Sequence, residues 1–512
     1  MLNRRTFCQA TLTPAALGLL LGGRQVCAAM LAVDRDLEAI NLDGEQTTLQ
    51  RAAVQELSDA LSGPLLLPGN AAYDLARLVR NAGIDKHPAL IAQPTGEADV
   101  SNAVQFARDN GLVVAVKCGG HSTAGMSTCD GGMMIDLSQM RYVRVSPGEK
   151  VAYVSGGSLL GPMDHESMAH GLVTVAGTVS HTGVGGLATG GGFGRLARRF
   201  GLTLDNMRAA DVVSADGQLR HASAQQNQDL LWAVKGGGGN FGVVTSFEFD
   251  LHPMQRQVIA GDLVYPLDRL RDVLEFYAEF SIDAPDELQT DLVFGYPPAG
   301  KPGFVVLGLC YSGDPASADR VMAAVKTLGK PMAGELAPTD YVELQRSGDS
   351  SLPRVNATYL KGGFITGITP ALIDTLIGGL EPHPDRSTQI IFQQAGGAIK
   401  RIPVEATAFA HRYAEYNMIA TMAWKPETAA ADHVLAIKRY WRSLLPFTHG
   451  FYANEADADN AALHNSNYQA NFPRLLKIKR RYDPDNNFRL NANIRPRDHL
   501  QEAQALGYRP EL

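Results

Sequence analysis

The chain has 512 residues, a formal net charge of −7, 19% charged residues and 45% hydrophobic ones. That composition is too apolar and too weakly charged for a disordered chain, and the acidic balance leaves no electrostatic footprint for nucleic acid. Glycine is the one excess, 52 residues or about 10% against a usual ~7%, and it has no three-residue period of the collagen kind.

In chain order, residues 1–29 read as an export signal. Arg4-Arg5-Thr6-Phe7 opens it, a mostly apolar stretch runs from Ala10 to Gly23, and Val26-Cys27-Ala28-Ala29 supplies a small-residue cleavage site. The apolar run is too short and too glycine-rich to span a bilayer. Two arginines with Phe7 two positions on resemble a twin-arginine signal, a route for folded, cofactor-loaded proteins to the periplasm or the exterior. Without residues 1–29 the net charge becomes −10, and Cys118, Cys129 and Cys310 remain. An odd count allows at most one disulfide, and Cys118–Cys129 is the pair to consider in an oxidising compartment. No Cys-x-x-Cys or His-x-x-x-His spacing points to a metal site.

Residues 47–87 read as a helical lead-in, and 88–117 as strand–helix–strand. Val100, Val104 and Ala107 share one helical face, Gly111 stops the helix, and Leu112–Val116 is rich in β-branched residues. Strands are expected at Met133–Leu137, Tyr142–Val145 and Val151–Val154, a helix over Ser158–His170, and extended chain over Val173–Val179. Residues 183–200 are glycine-rich, then basic; Ala210–Ser214 and Val243–Leu251 are further strands. After His252-Pro253 glycine thins out. Strands Val258–Tyr265, Asp291–Tyr296 and Phe304–Cys310 alternate with helices over 266–281 and 316–328, which reads as a second α+β domain. A basic amphipathic helix, Tyr468–Tyr482, then stops at Asp483-Pro484-Asp485-Asn486, and Phe488–Ile494 is extended.

The glycines are concentrated: 18 lie between residues 119 and 194, and five more between 236 and 242. Glycine lets backbone approach a ligand closely, and successive N–H groups make an anion nest. Two such stretches point to a large phosphate-containing cofactor held by main chain. Gly183-Val184-Gly185-Gly186-Leu187-Ala188 with Asp205 satisfies the dinucleotide fingerprint. However, Ser180–Thr182 separates it from the preceding strand and no βαβ unit of suitable length follows, so a nicotinamide site is not the reading. The sharper element is Lys117-Cys118-Gly119-Gly120-His121-Ser122, where a strand delivers a Gly-Gly turn and the turn presents an imidazole.

These residues carry a family likeness. Val114–Gly125 resembles the FAD-attachment loop of the berberine bridge enzyme-like oxidases, of the vanillyl-alcohol oxidase superfamily with a PCMH-type FAD domain. Gly177–Gly194 resembles the second flavin loop, and Phe200–Asn206, Asp229–Val244 and Tyr482–Ile494 resemble three further family motifs in register. The resemblance implies an α+β fold: a two-subdomain PCMH-type FAD-binding domain over 47–254, a substrate domain with an antiparallel sheet over 255–455, and a C-terminal segment, 456–512, that returns to complete the FAD domain. It implies FAD bonded covalently to His121. Bicovalent members carry a Cys where Val179 stands here, so a single link of the bacterial monocovalent type is expected. Cofactor contacts are implied for Cys118, Gly119, Gly120, Ser122 and Gly125, for Gly177, Thr178, His181, Thr182, Gly185, Gly186, Gly190, Gly191, Gly192 and Gly194, and for Asn240, Gly242, Val243, Val244, Asn491 and Asn493.

The implied reaction moves a hydride from an alcohol, sugar, amine or phenolic small molecule to FAD, then to dioxygen with release of hydrogen peroxide. A dehydrogenase serving a quinone or cytochrome, and a non-catalytic small-molecule-sequestering protein on the same fold, are the alternatives. Plant members place Gln or Glu where Ile419 stands, and Ile419 has no basic atom. Tyr452, in Gly450-Phe451-Tyr452-Ala453-Asn454-Glu455, and His181 are the candidate catalytic residues. His411-Arg412 matches a recurring family pair that reads as structural. Tyr413, Tyr416 and Trp424 hint at an aromatic-lined pocket, although core packing explains them equally well.

Overall fold

The computed structural model describes residues 33–298, 300–351, 354–456 and 467–496. The signal at 1–29 lies outside the described residues, as do 457–466 and 497–512 of the C-terminal segment.

The strand–helix–strand unit forms as Leu90–Ala92, Glu97–Asp109 and Val114–Lys117. Its two strands are not neighbours, because Met133–Asp136 lies between them, parallel to both, and Leu65–Leu66 adds an antiparallel edge beside Leu90–Ala92. Every residue of Leu90–Ala92 and Met133–Asp136 is buried, as parallel strands covered on both faces require. The lead-in over 47–87 is not continuous helix. It holds the helix Arg51–Ala60, and beyond that Gly63-Pro64 and Pro68-Gly69 break the chain into short pieces. Before the helix, Gln46–Leu49 pairs antiparallel with Leu37–Ile40.

A five-stranded antiparallel sheet comes next, in the order Leu219–Ser223, Met207–Val213, Val243–Asp250, Val151–Ser155, Val143–Ser146. The helix expected over 158–170 spans Leu160–Met168. Of the extended run expected over Val173–Val179, only Val173 lies in a strand, Leu172–Val173, which pairs with His252–Pro253.

The second domain is a seven-stranded antiparallel sheet, in the order Ala337–Asp340, Gln257–Pro266, Phe304–Tyr311, Leu288–Tyr296, Arg386–Gln394, Tyr416–Trp424, Ala357–Ile365. Helices Leu270–Phe280, Pro370–Gly378 and Ala430–Leu444 share one core with Leu292, Phe294, Leu307, Ile390, Phe392, Tyr416, Met418 and Trp424. Alternation sends the intervening residues to the other face. There Ala260, Cys310 and Phe364 pack with Phe193, Leu196, Leu202 and Tyr452 of the glycine-loop side. Register places Phe364, Asn417, Gln393, Asp291, Gly308 and Asp262 directly across from one another on that face. Residues 316–328 are split into Ala318–Val321 and a 3-10 turn, Ala323–Leu328.

Two buried ion pairs close the structure. Arg412 donates to both oxygens of Asp205, at 2.8 and 2.7 Å, tying the Phe200–Asn206 motif to the second domain. The basic helix spans Phe472–Tyr482. Its Lys479 Nζ donates to Asp483 at 2.6 Å and to the carbonyls of Asn240 and Phe488. Asp483 in turn accepts from the backbone of Asn487 and Phe488. A buried pair is sound only when its remaining donors and acceptors are filled, and here they fasten the C-terminal segment to the loop at 236–242. Phe488–Ile494 forms no regular strand. The three described cysteines are free thiols. Cys118 donates to the Ser158 carbonyl at 3.3 Å and Cys129 to that of Met133 at 3.7 Å, so the Cys118–Cys129 bridge is not present.

Candidate active site

The strand Val114–Lys117 runs straight into Cys118-Gly119-Gly120-His121. Gly120 has φ +67°, and its carbonyl accepts from Arg80 N at 2.9 Å. A Cβ on Gly119 would lie 2.3 Å from Gly183 N, and one on Gly183 would lie 2.3 Å from Gly119 N and 2.5 Å from Cys118 Sγ. The two loops therefore meet backbone to backbone, with no room for a side chain between them.

That contact sets His121 beside His181. Nε2 of His121 is 2.8 Å from Nδ1 of His181, with ring centroids 4.9 Å apart. Thr182 Oγ1 lies 3.4 Å from the other nitrogen, Nδ1. Burial, then His181 and Arg80, push the His121 imidazole down to about 3, so it is neutral at ordinary pH. His181 Nε2 lies 3.4 Å from the Asp349 carbonyl. The Asp349 carboxylate accepts from Ser180 N at 2.8 Å and Ser180 Oγ at 2.6 Å. Burial would raise that carboxyl, but the Ser180 hydrogen bonds outweigh it and hold it below its ordinary value. Arg80 stands nearby with Nε and one terminal nitrogen buried and unpartnered.

The second loop forms the helix Val184–Gly190. Its later glycines admit protein: a Cβ on Gly190 would lie 2.1 Å from Asn454 Oδ1, on Gly191 2.7 Å from the Tyr452 ring, on Gly192 2.1 Å from Thr203 Oγ1, and on Gly194 1.7 Å from the Ala176 carbonyl. Tyr452 is buried against this loop. Its hydroxyl oxygen accepts from Gly192 N at 2.6 Å and Asn454 Nδ2 at 2.8 Å. Burial raises the phenol well above its usual range, and those two hydrogen bonds oppose it only in part.

Other glycines face open space. Nothing lies within 4 Å of a Cβ on Gly186 or Gly238, and only Asn491 Nδ2, at 3.9 Å, near one on Gly239. The helix Val184–Gly190 packs against Gly238–Asn240. Oδ1 of Asn491 and Oδ1 of Asn493 are buried without partners. Open glycine surface beside orphaned amide oxygens fits a flat polar cofactor such as FAD, because buried polar atoms require partners.

The remaining expected contacts divide. Asn240 donates to the Gly237 and Ala492 carbonyls and accepts from Ile494 N, so its amide holds protein to protein. Val243 and Val244 are core residues of their strand. Gly242 and Gly185 back onto the carbonyls of Val213 and Gly156, Gly125 onto Ile84, and Gly177 onto Leu160 and Leu187. Ser122 Oγ accepts from Met126 N, and the Thr178 carbonyl from Arg195. The aromatic-pocket expectation fails for Tyr416 and Trp424, which face the helices in the domain core. Tyr413 is half-buried and accepts from Gln469 Nε2. His411 stacks on Phe364 and pairs with Asn467, and burial pushes it down to about 4.

Sequence reasoning missed Arg80, Asp349, Asn417 and Glu455. Asp349 meets the His181 loop from 168 residues away, and Asn417 Nδ2 reaches Glu455 Oε1 across 38 residues. No local spacing encodes such contacts.

Two family models match: an FAD binding domain over residues 88–223, and a berberine and berberine-like domain over residues 451–495. An FAD-linked oxidoreductase of Dictyostelium discoideum is 32% identical over 454 residues, covering 86% of this chain and 97% of that one. A chitooligosaccharide oxidase of Gibberella zeae is 28% identical over 480 residues, covering 88% and 95%. The crystal structure of 6-hydroxy-D-nicotine oxidase from Arthrobacter nicotinovorans aligns with a TM-score of 0.78 at 26% identity, covering 85% of this chain and 98% of that one.

Proposed function

Because the chain belongs to the berberine bridge enzyme-like FAD-linked oxidoreductases, we propose that it is an oxidase of a small alcohol, sugar or amine with FAD bonded through His121 alone. When bound, FAD supplies the hydride acceptor and then passes the electron pair to dioxygen, giving hydrogen peroxide.

The observation that carries this reading is the Gly119–Gly183 clasp and the neutral imidazole it presents. With Nε2 of His121 engaged by His181 at 2.8 Å, Nδ1, which meets only Thr182 Oγ1 at the longer distance of 3.4 Å, is the ring nitrogen to carry the flavin. His181 acts as a positioning residue here, fixing the ring and its tautomer. Val179 offers no second link. Tyr452 and Asn454 brace the second loop, while Asn491 and Asn493 offer their unpartnered amide oxygens to the cofactor.

The substrate faces the row formed by Asn417, Gln393, Asp291 and Asp262. Carboxyl and amide side chains in series suit hydroxyl groups better than an aryl face. Relatives named for a chitooligosaccharide and for 6-hydroxynicotine bracket the class, and the polar row favours the hydroxyl-bearing side. The Arg4-Arg5 signal supports a periplasmic or secreted enzyme.

The experiment is acid precipitation and peptide mass spectrometry of the purified protein, then anaerobic substrate addition. Flavin should remain on the His121 peptide, bleach with substrate, and yield one peroxide per turnover in air. Flavin on any other peptide refutes the link. Bleaching without peroxide favours the dehydrogenase.

A further inference from the structure

Residues Tyr452 to Glu455 form one turn with two opposed faces. Tyr452 and Asn454 point onto Gly190–Gly192 of the second loop. Glu455 points the other way, onto the face of the seven-stranded sheet that lies away from its helices. There its Oε1 accepts from Asn417 Nδ2 at 3.0 Å, and Asn417 Nδ2 also donates to Gln393 Oε1 at 2.9 Å. A Cβ on Gly362, on the next strand, would lie 2.1 Å from Oε2, so glycine at that position is what lets the carboxyl in.

The other carboxyl oxygen, Oε2, is buried with no hydrogen-bond partner, and so is Asn417 Oδ1. The ion-paired carboxyls Asp483 and Asp205 have both oxygens satisfied. Glu455 instead leaves Oε2 buried and unpartnered beside Gly362, between the glycine loop and the polar row. Ile419, two residues from Asn417 on the same face, has no atom that accepts a proton. Tyr452, the titratable group beside Glu455, already accepts two hydrogen bonds. Asn417, Gln393 and Gly362, from the strands packed against Glu455, are uncharged.

We propose that Glu455 is the catalytic base: its Oε2 takes the proton from the substrate hydroxyl while the hydrogen on the adjacent carbon leaves as hydride. The O–H and C–H bonds break and a carbonyl forms. The proton goes to Glu455 and the electron pair, with its hydrogen, to the flavin of the proposed function, on which this inference rests. Burial pushes the carboxyl up to about 8. It is therefore an acceptor only in the ionised form, which gains population as pH rises through that value.

The test compares holoenzyme and E455Q, which keeps an oxygen for Asn417, with E455D as the conservative variant. Cellobiose, N,N′-diacetylchitobiose and benzyl alcohol are the reductants, under anaerobic conditions. Wild-type flavin reduction should rise with pH to a plateau above about 8. E455Q should retain covalent flavin, reduce at least ~100-fold more slowly and lose the pH dependence, and E455D should recover part of the rate. Reduction of E455Q within threefold of wild type on the same profile would overturn the proposal. A second readout needs no turnover: infrared titration of protein labelled with 13C-glutamate. One carboxyl should ionise near 8 in wild type and not in E455Q, whereas ionisation of every glutamate below about 6 overturns the role. Wild-type flavin that no reductant bleaches counts against the oxidase reading, and the titration then decides on Glu455 by itself.

Discussion

The glycine loops and the face of the seven-stranded sheet that lies away from its helices build the two sides of the proposed site by opposite means. The loops work with main chain, where Gly119 and Gly183 meet with 2.3 Å between each backbone nitrogen and the other's would-be Cβ. The sheet works with side chains at alternate positions, and its Gly362 faces the tip of a carboxyl rather than a peptide. A backbone obstacle has nowhere to go, whereas the end of a side chain can turn aside. A methyl group added at Gly183 should therefore act on stability, and one added at Gly362 on chemistry.

The largest effect is expected from Gly183→Ala. Its methyl group meets main chain, so we expect about 3 kcal/mol of destabilisation and loss of covalent flavin, read by thermal unfolding and acid precipitation. Retained flavin with an unchanged melting temperature would break the comparison.

Tyr452→Phe comes next. It removes the acceptor for Gly192 N and Asn454 Nδ2 and should cost about 1–2 kcal/mol, while flavin stays attached and flavin reduction keeps its pH profile. A rate loss as large as that of Glu455→Gln would move the base to Tyr452.

The buried carboxyls give a pH signature. Burial raises Asp164 to about 7 and Glu455 to about 8. The folded protein therefore holds protons that the unfolded chain has released above about pH 4.5. The contribution of these two carboxyls to the stability of the flavin-free protein should fall as pH rises from about 5 to 8, while His121 and His411, held neutral by burial, contribute in the opposite direction below about 6.5. Asp164→Asn should raise the melting temperature at pH 8 and leave it nearly unchanged at pH 4. An equal effect at both values would show that Asp164 is ordinarily ionised.

Gly362→Ala is the sheet's counterpart to Gly183→Ala. We expect less than about 1 kcal/mol of destabilisation, because Glu455 can swing away, but slower flavin reduction for the same reason. Smallest of all is Gly186→Ala. With open space around it, alanine should stabilise the flavin-free protein by about 0.5–1 kcal/mol through helix propensity while weakening cofactor retention. Equal retention would place the cofactor away from Gly186.

The sequence by itself determined the cofactor side. A cradle made of backbone uses consecutive residues, so Lys117–Ser122, Gly177–Gly194 and Asp229–Val244 read as units, and the flanking strands and helices arise from local periodicity. Even there, spacing left open which glycines have room beside them: Gly186, Gly238 and Gly239 face open space, whereas Gly190 to Gly194 make room for Asn454, Tyr452, Thr203 and Ala176. Only the tertiary structure decided the substrate side. The face a strand residue takes depends on where the helices pack, which is why Tyr416 and Trp424 turned into the core and Asn417 to the opposite face. Asp349 at His181 and Glu455 at Asn417 are joined by folding across long stretches of chain. A contact between residues that distant leaves no period or spacing in the sequence, since its geometry belongs to the packing of one domain on another.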